Sequence, residues 1–363
     1  MQQRLIRSLV ILLTAVPLFV SAQTDVNDDQ DTRHKLTKKA DAFYDAKEYS
    51  LAVEVYDKAY SKEKDRSQKA RIAYNTAECY RYVGDYKRAE GNYKKASKLG
   101  FGALADLGAA DMLQAQGEYE DAIAAYEVYR TLVPDDPRIE IGINSCRQAA
   151  TWVVQGSLFS VDNIRALNSK QADYAVAFAG RRGQEDMTLI VSSMREDAKG
   201  KREDGWMGER FSDLFITEGM EPKRKGRPSR NAEPDPNKEV TWTDLESLSD
   251  VINTKDHEGV VTFDSRMRTM YFTKCVQVKN MQMGCAIYSS RKMGQDWAEA
   301  EPVAMALDSG ASVGHPALSP NDEILYFSGE MPGGKGGKDL YMTTYNRRKR
   351  MWDTPINLDI NTR

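Results

Sequence analysis

Residues able to carry out chemistry are few in this 363-residue chain, which contains only three histidines and four cysteines. No Gly-x-Ser-x-Gly or His-Glu-x-x-His pattern supplies a nucleophile or a zinc site. The glycines before Lys338 lack the spacing of a phosphate-binding loop, because Pro332 stands where the first glycine is needed and Asp339 follows the lysine. The sequence therefore predicts a protein that is not an enzyme and that binds no metal or other cofactor.

Two of the cysteines lie close together in the sequence. Cys275 and Cys285 are flanked by strand-like residues, so that a hairpin would bring them side by side. Two interpretations stay open: a disulfide, which an oxidising compartment would allow, or two buried free thiols. Cys79 and Cys146 lie in helical sequence and are interpreted as small core residues.

The N-terminus has the features of an export signal. Arg4 and Arg7 precede an apolar run from Leu9 to Val20, and small residues end it at Ala22. This run is short for a helix that crosses a membrane, so we expect residues 1–22 to be cleaved as a signal peptide; a retained anchor is the alternative. We therefore expect the mature chain outside the cytoplasm, without a transmembrane segment, beginning with a disordered leader at 23–32.

Composition and length limit the protein class. With 41% hydrophobic and 29% charged residues, the chain is neither wholly disordered nor a polytopic membrane protein. The net charge of −3 gives no general attraction to nucleic acid. The length suggests two or three domains.

Residues 33–154 contain an internal repeat. The pattern Tyr-x-x-Ala-x-x-x-Tyr occurs three times, at Tyr49/Ala52/Tyr56, Tyr86/Ala89/Tyr93 and Tyr119/Ala122/Tyr126. It resembles the tetratricopeptide repeat (TPR) family, which places small residues where paired helices cross and aromatic residues where they wedge together. The resemblance implies an α-solenoid with a groove for a protein partner. A further helix starting at Asp136-Pro137 is predicted to cap the last repeat.

The inner helix of each repeat is expected to line the groove. We predict partner-binding side chains at Tyr44, Asn75, Arg81 and Asp111. Residues 31–100 hold 17 basic and 11 acidic side chains, whereas residues 101–150 hold 3 basic and 9 acidic ones. These charges are interpreted either as ordinary solvated helix faces or as a bipolar docking surface that orients a partner.

Residues 157–363 show strand-like alternation and a second repeat. Trp242, Trp297 and Trp352 are spaced by 55 residues. Units of this length with about four short strands are typical of propeller blades. The segments 315–322, 325–328 and 333–341 resemble the blade signature of the PD40 family of WD40-like propellers. The predicted fold class is thus multidomain, a TPR α-solenoid followed by an all-β, partial propeller of about three blades.

Residues 195–239 are interpreted as a flexible insertion within the first blade. Their basic segment 223–230 is either a solvated loop or a contact for an anionic partner or cell-wall polymer. Because the sequence ends where a fourth blade would begin, we expect a truncated product, a fragment, or closure of the propeller with another chain.

The order of signal peptide, TPR repeats and PD40 propeller resembles multidomain periplasmic proteins of the Bacteroidota that often end in an OmpA-like domain. This resemblance implies a non-enzymatic scaffold, associated with the outer membrane or cell wall, that docks protein partners of the envelope or of the type IX secretion machinery. Peptidoglycan binding is expected only through an OmpA-like domain absent from this sequence. The alternative function is a sugar- or peptide-binding propeller in nutrient uptake.

Overall fold

Helices form the first part of the chain and antiparallel sheets form the rest. The computed structural model describes residues 33–159, 161–180, 187–201, 203–220, 240–276, 284–308 and 310–359. The predicted signal peptide (1–22) and leader (23–32) lie outside these residues. No helix within the described ranges is both long and apolar enough to cross a membrane.

The helical part consists of three hairpins and a final helix. In chain order the helices are α1 (Lys35–Asp45), α2 (Tyr49–Lys62), α3 (Arg66–Tyr82), α4 (Tyr86–Leu99), α5 (Ala103–Ala115), α6 (Tyr119–Leu132) and α7 (Pro137–Gln155). Helix α1 packs against α3, so that the first helices of the first two hairpins lie side by side, and α5 packs against the final helix α7. These first helices form the inner face of the array.

The turns within the hairpins require a left-handed residue. Gly84 and Gly117 adopt φ values of 82° and 81° at the second and third turns. The first turn has Lys47 at the same place, and Lys47 adopts φ 60°. A lysine is strained in this region where glycine is not, but the hairpin still closes.

Small and aromatic residues pack the hairpins together, as the repeat pattern predicts. Tyr56, Tyr93 and Tyr126 are fully buried on the second helices. Gly108 and Gly142 lie directly against the rings of Tyr93 and Tyr126; a Cβ at Gly142 would approach the Tyr126 ring to 2.4 Å. The array therefore depends on close helix contacts that admit no larger side chain.

Within the described residues, fifteen strands follow in three sheets of five. The first sheet has β1 (Asp173–Phe178), β2 (Thr188–Ser193), β3 (Asp213–Met220), β4 (Thr241–Trp242) and β5 (Glu246–Ser247). The second has β6 (His257–Phe263), β7 (Thr269–Val276), β8 (Gly284–Met293), β9 (Asp296–Trp297) and β10 (Glu301–Pro302). The third has β11 (Ser312–Leu318), β12 (Ile324–Glu330), β13 (Asp339–Asn346), β14 (Met351–Trp352) and β15 (Ile356–Asn357).

Each sheet repeats one antiparallel meander. Its fourth strand is split into two short pieces that both pair with the third, and the repeated tryptophan lies on the first piece. Each first strand carries a bulge at a residue with positive φ, namely Ala175, Val260 or His315. The first strand of the second and third sheets packs on the preceding sheet, as blades do in a propeller. The predicted fold class, a TPR-like helical array followed by a partial propeller-like all-β region, is confirmed.

The predicted insertion at 195–239 needs correction. Asp213–Met220 is the central strand β3 of the first sheet, and residues 203–210 form a short hairpin that contacts the helices. Residues 221–239, which include the basic segment, lie outside the described residues. The interpretation as an insertion rested on the composition of that basic segment and missed strand β3, whose first six residues pair with β2.

The second sheet departs from the other two at the start of its third strand. In the first and third sheets an aspartate stands there, and its carboxylate accepts a backbone N–H from a lysine in the preceding loop: Lys199 to Asp213 at 2.7 Å and Lys335 to Asp339 at 2.5 Å. In the second sheet Ala286 occupies this place, and the preceding Cys285 forms a disulfide with Cys275 on the paired strand. Cys79 and Cys146 are buried free cysteines in the helical array.

Candidate partner-binding groove

The inner face of the helical array carries three equivalent tyrosine–carboxylate pairs, which we call the tyrosine–carboxylate ladder. The pairs are Asp41 with Tyr56, Glu78 with Tyr93, and Asp111 with Tyr126; the members of each pair are 15 positions apart. Tyr56 donates to Asp41 Oδ1 at 2.7 Å and Tyr126 donates to Asp111 Oδ1 at 2.6 Å. The ladder fixes each carboxylate on a first helix by a hydroxyl from the second.

Burial raises the pKa of each ladder tyrosine well above its usual value, and the neighbouring carboxylate raises it further. The hydroxyls therefore remain protonated donors throughout the physiological range. Their role is to orient acceptors rather than to exchange protons.

Guanidinium groups neutralise only part of the ladder. Arg33 and Arg71 both pair with Asp41, the latter at 3.0 Å. Arg81 pairs with Glu78 at 2.6 Å. Asp111 is solvent-exposed and accepts only the Tyr126 hydroxyl among the bonds of the described residues. The inner face is thus cationic at the first hairpin and anionic at the third.

The four predicted binding residues lie on first helices but form two groups. Asn75 donates from Nδ2 to the Tyr56 hydroxyl at 3.1 Å, and Arg81 and Asp111 belong to the ladder directly. Tyr44 packs edge-on against Tyr49 at 5.6 Å in an aromatic cluster and makes no hydrogen bond with a ladder residue among the bonds of the described residues. That cluster also contains Tyr82, whose ring lies 4.3 Å from the guanidinium carbon of Arg81.

Sequence reasoning missed Asp41, Glu78 and Arg71. A signal for the two carboxylates existed, because Asp41, Glu78 and Asp111 recur with the same spacings, 37 and 33, as the ladder tyrosines. Arg71 had no such signal, since it bridges from α3 to a carboxylate on α1 and has no counterpart in the other hairpins.

One serine–histidine–aspartate trio joins the first sheet to the second. His257 Nδ1 lies 3.1 Å from Ser212 Oγ, and Nε2 lies 3.8 Å from Asp204 Oδ2. Nδ1 also accepts the Ser212 backbone N–H at 3.0 Å, and the Ser212 residue is 1% exposed. Burial lowers the pKa of His257, and nearby Asp204 opposes this shift. The trio thus holds two sheets together and does not present its serine to a substrate.

Next to this trio, Asp213 is a buried carboxylate with an unsatisfied oxygen. Its Oδ1 lacks a hydrogen-bond partner among the described residues, and the residue is 1% exposed. Burial raises the pKa of Asp213 to about 6. A carboxyl with a raised pKa binds more protons in the folded state, so its ionisation lowers stability as pH rises from about 4 to about 6.

We therefore expect Asp213→Asn to raise the free energy of unfolding by about 1–3 kcal/mol at pH 8 and to have little effect at pH 4. Urea unfolding followed by tryptophan fluorescence at the two pH values measures this. Asp244→Asn, at an exposed site, is the control and should change neither value. A variant that is destabilised at pH 8, or shifted equally at both pH values, would show that the Asp213 charge is not the cause.

Known proteins resemble this chain over a stretch about as long as its helical part. No family model and no curated protein matches the chain. The solved structures similar to it include the first TPR of Spaghetti (RPAP3) bound to the HSP90 peptide SRMEEVD, at 19% identity and TM-score 0.29, covering 32% of this chain and 91% of that one. The Arabidopsis OM64 TPR domain is 20% identical, with TM-score 0.28 and coverages of 31% and 92%. The second TPR domain of human RPAP3, in complex with the HSP70 peptide SGPTIEEVD, is 18% identical, with TM-score 0.28 and coverages of 31% and 92%. Similarity at this level says nothing about ligands.

Proposed function

We propose that this chain is a non-enzymatic adaptor that docks protein partners on the inner face of its helical array. The observation that carries the proposal is the tyrosine–carboxylate ladder. Three hairpins carry equivalent carboxylates on one face; Asp41 and Glu78 are paired with arginines while Asp111 is exposed, so the charge of that face changes sign along its length. A partner segment with acidic groups near Arg71 and a basic group at Asp111 would bind in one direction only.

We further propose that the adaptor works in the periplasm, associated with the outer membrane or cell wall, as a component of a type IX secretion system that resembles PorE. The domain order supports this, as do the PD40-like blade segments and the export signal around Arg4, Arg7 and 9–20. The disulfide between Cys275 and Cys285 fits an oxidising compartment. Contact with peptidoglycan is proposed only through an OmpA-like domain.

Partner capture from a Bacteroidota envelope extract tests the adaptor role. The groove variant Arg81→Gln/Asp111→Asn removes two charges from the inner face but keeps hydrogen-bonding groups at both positions. Tyr126 can still donate to Gln114, whose Oε1 lies 2.8 Å from its hydroxyl. The matched control is Lys87→Gln/Asp121→Asn, which removes the same charges from exposed positions of the second helices α4 and α6.

We expect the groove variant to recover at least about tenfold less of the principal partner than the wild type does, and the control to match the wild type. Both variants should keep the wild-type helical content by circular dichroism at the temperature of the capture experiment. Full recovery by the groove variant would reject the inner face as the docking surface. Recovery of partners that include no secretion component would reject the type IX assignment while leaving the adaptor role intact.

A further inference from the structure

Trp206 belongs to the connection between strands β2 and β3 of the first sheet, but its side chain packs on the helical array. It stands at the tip of the hairpin 203–210, which a backbone bridge between Glu203 and Arg210 closes. Its indole packs edge-on against Tyr49 and Tyr82, with ring centroids 4.9 Å and 6.2 Å away. The indole Nε1–H donates to the Tyr82 carbonyl oxygen at 3.1 Å. The contact thus combines aromatic packing with a directional bond.

The backbone of this hairpin also fits the start of α2. The Ser50 N–H points at the carbonyl oxygens of Gly205 and Trp206, at 3.0 Å and 3.3 Å. This amide belongs to the first turn of α2, where N–H groups have no partner within the helix, and the N-cap residue Glu48 makes no side-chain capping bond. The hairpin therefore caps a helix that lacks its own cap.

Two glycines permit this close approach. A Cβ at Gly205 would lie 2.8 Å from Glu48 Cγ, and a Cβ at Gly208 would lie 2.3 Å from Ser50 Oγ. Gly208 also has φ 73°, a conformation that favours glycine. The surface on α2 and α3 consequently selects a tryptophan in a tight turn flanked by glycines.

The hairpin is an addition to the sheet rather than a part that the sheet needs. The loop lysine that bonds to the strand aspartate lies 4 positions before it in the third sheet but 14 positions before it in the first. The additional residues of the first sheet lie between Lys199 and Asp213 in the sequence, and they include the whole hairpin 203–210. Their contacts with Tyr49, Ser50 and Tyr82 give this additional segment its defined position.

We propose that the surface formed by Tyr49, Ser50 and Tyr82 is a recognition site for glycine-flanked tryptophan turns, which Trp206 occupies in cis and a partner polypeptide occupies by displacing it. The occupant defines the ligand chemistry: an indole donor, two carbonyl acceptors, and glycines one position before and two positions after the tryptophan. Trp206 remains 38% exposed, and its side chain makes one hydrogen bond among the described residues. Since Tyr82 also stacks with Arg81, the site adjoins the groove of the proposed adaptor and deepens that proposal.

A labelled synthetic peptide of residues 203–210 tests the site in the full chain. Fluorescence anisotropy would measure its binding to wild type and to Trp206→Ala, which lacks the indole that occupies the aromatic part of the site. We expect affinity for Trp206→Ala at least about tenfold higher than for wild type. Adding Tyr82→Ala to Trp206→Ala should reduce the affinity by at least about tenfold, and a peptide with alanine in place of tryptophan should not bind.

Circular dichroism first establishes that Trp206→Ala keeps its helical content. Equal peptide affinity for wild type and Trp206→Ala would overturn the proposal, because Trp206 would then not occupy the site. Absence of binding to Trp206→Ala at millimolar peptide would also overturn it, because the contact would then be packing without recognition. Neither outcome bears on envelope capture by the groove variant, so failure here is distinct from failure of the adaptor role.

Discussion

Lys274→Met is expected to destabilise the second sheet by about 3–5 kcal/mol at pH 8. Lys274 on β7 lies directly opposite Glu258 on β6, and its Nζ is 3.1 Å from Glu258 Oε1. The Glu258 side chain is 0% exposed. Without the ammonium group, the buried carboxylate keeps only the hydrogen bonds from the Thr254 N–H and hydroxyl. An uncompensated buried charge costs far more than the pair itself contributes.

The pH dependence of this loss identifies its cause. Burial already raises the pKa of Glu258, and Lys274 opposes that shift. Removing the lysine raises the pKa of Glu258 further. A carboxyl whose pKa is higher in the folded state than in the unfolded state loses stability as pH rises, because the folded state then gives up a proton it binds more strongly. The destabilisation by Lys274→Met should therefore shrink when urea midpoints are measured at pH 5 instead of pH 8.

Two further variants make this test specific. Lys292→Met removes an exposed lysine from β8 in the same sheet and should change stability by less than about 0.5 kcal/mol. The double variant Glu258→Gln/Lys274→Met removes the unpaired charge and should recover most of the loss. An equal loss at both pH values, or a double variant as unstable as Lys274→Met, would contradict the account.

The helical half was predictable because its determinants are local and repeated. The spacing of Tyr56, Tyr93 and Tyr126 fixes both the helix pairs and their contacts, so the repeat alone gives the architecture. The ladder was anticipated only in part, because Asn75, Arg81 and Asp111 were chosen for their helix while the equivalence of Asp41, Glu78 and Asp111 was not used; partner binding at these residues stays a prediction. The position of Tyr44 depends on Tyr49 and Tyr82, which belong to other helices.

The sheet half was less predictable because its pairing is long-range. The three tryptophans at intervals of 55 indicate the repeat, and each does lie on a fourth strand. Strand β3 was missed because the basic residues beyond it dominated the interpretation, although Asp213-Leu-Phe matches Asp339-Leu-Tyr in the third sheet. The Trp206 contact with Tyr82 spans 124 positions and has no counterpart in the other sheets, so no repeat signals it.

Ala89→Leu is expected to destabilise the helical array by about 3 kcal/mol. Ala89 is 0% exposed and packs in one cluster with Ala77, Tyr93 and Ala109. Three added carbons would have to displace α3 or α5, because the crossing helices leave no cavity for them. Neighbouring hairpins stabilise one another in a repeat array, so the whole array should lose stability, not α4 alone. Thermal unfolding followed by helical circular dichroism measures the loss.

The same helix supplies the control for this prediction. Gly91 lies two positions after Ala89 and is exposed, and a Cβ added there would meet no heavy atom within 4 Å. Gly91→Ala should therefore raise stability by about 0.5–1 kcal/mol, because alanine loses less backbone entropy in a helix than glycine does. A loss of stability at Ala89 and a gain at Gly91, in one helix, would distinguish an effect of packing from an effect of helix propensity. If Ala89→Leu kept the wild-type melting temperature and helical content, the close helix crossing that defines the repeat, and with it the spacing of the tyrosine–carboxylate ladder, would be wrong.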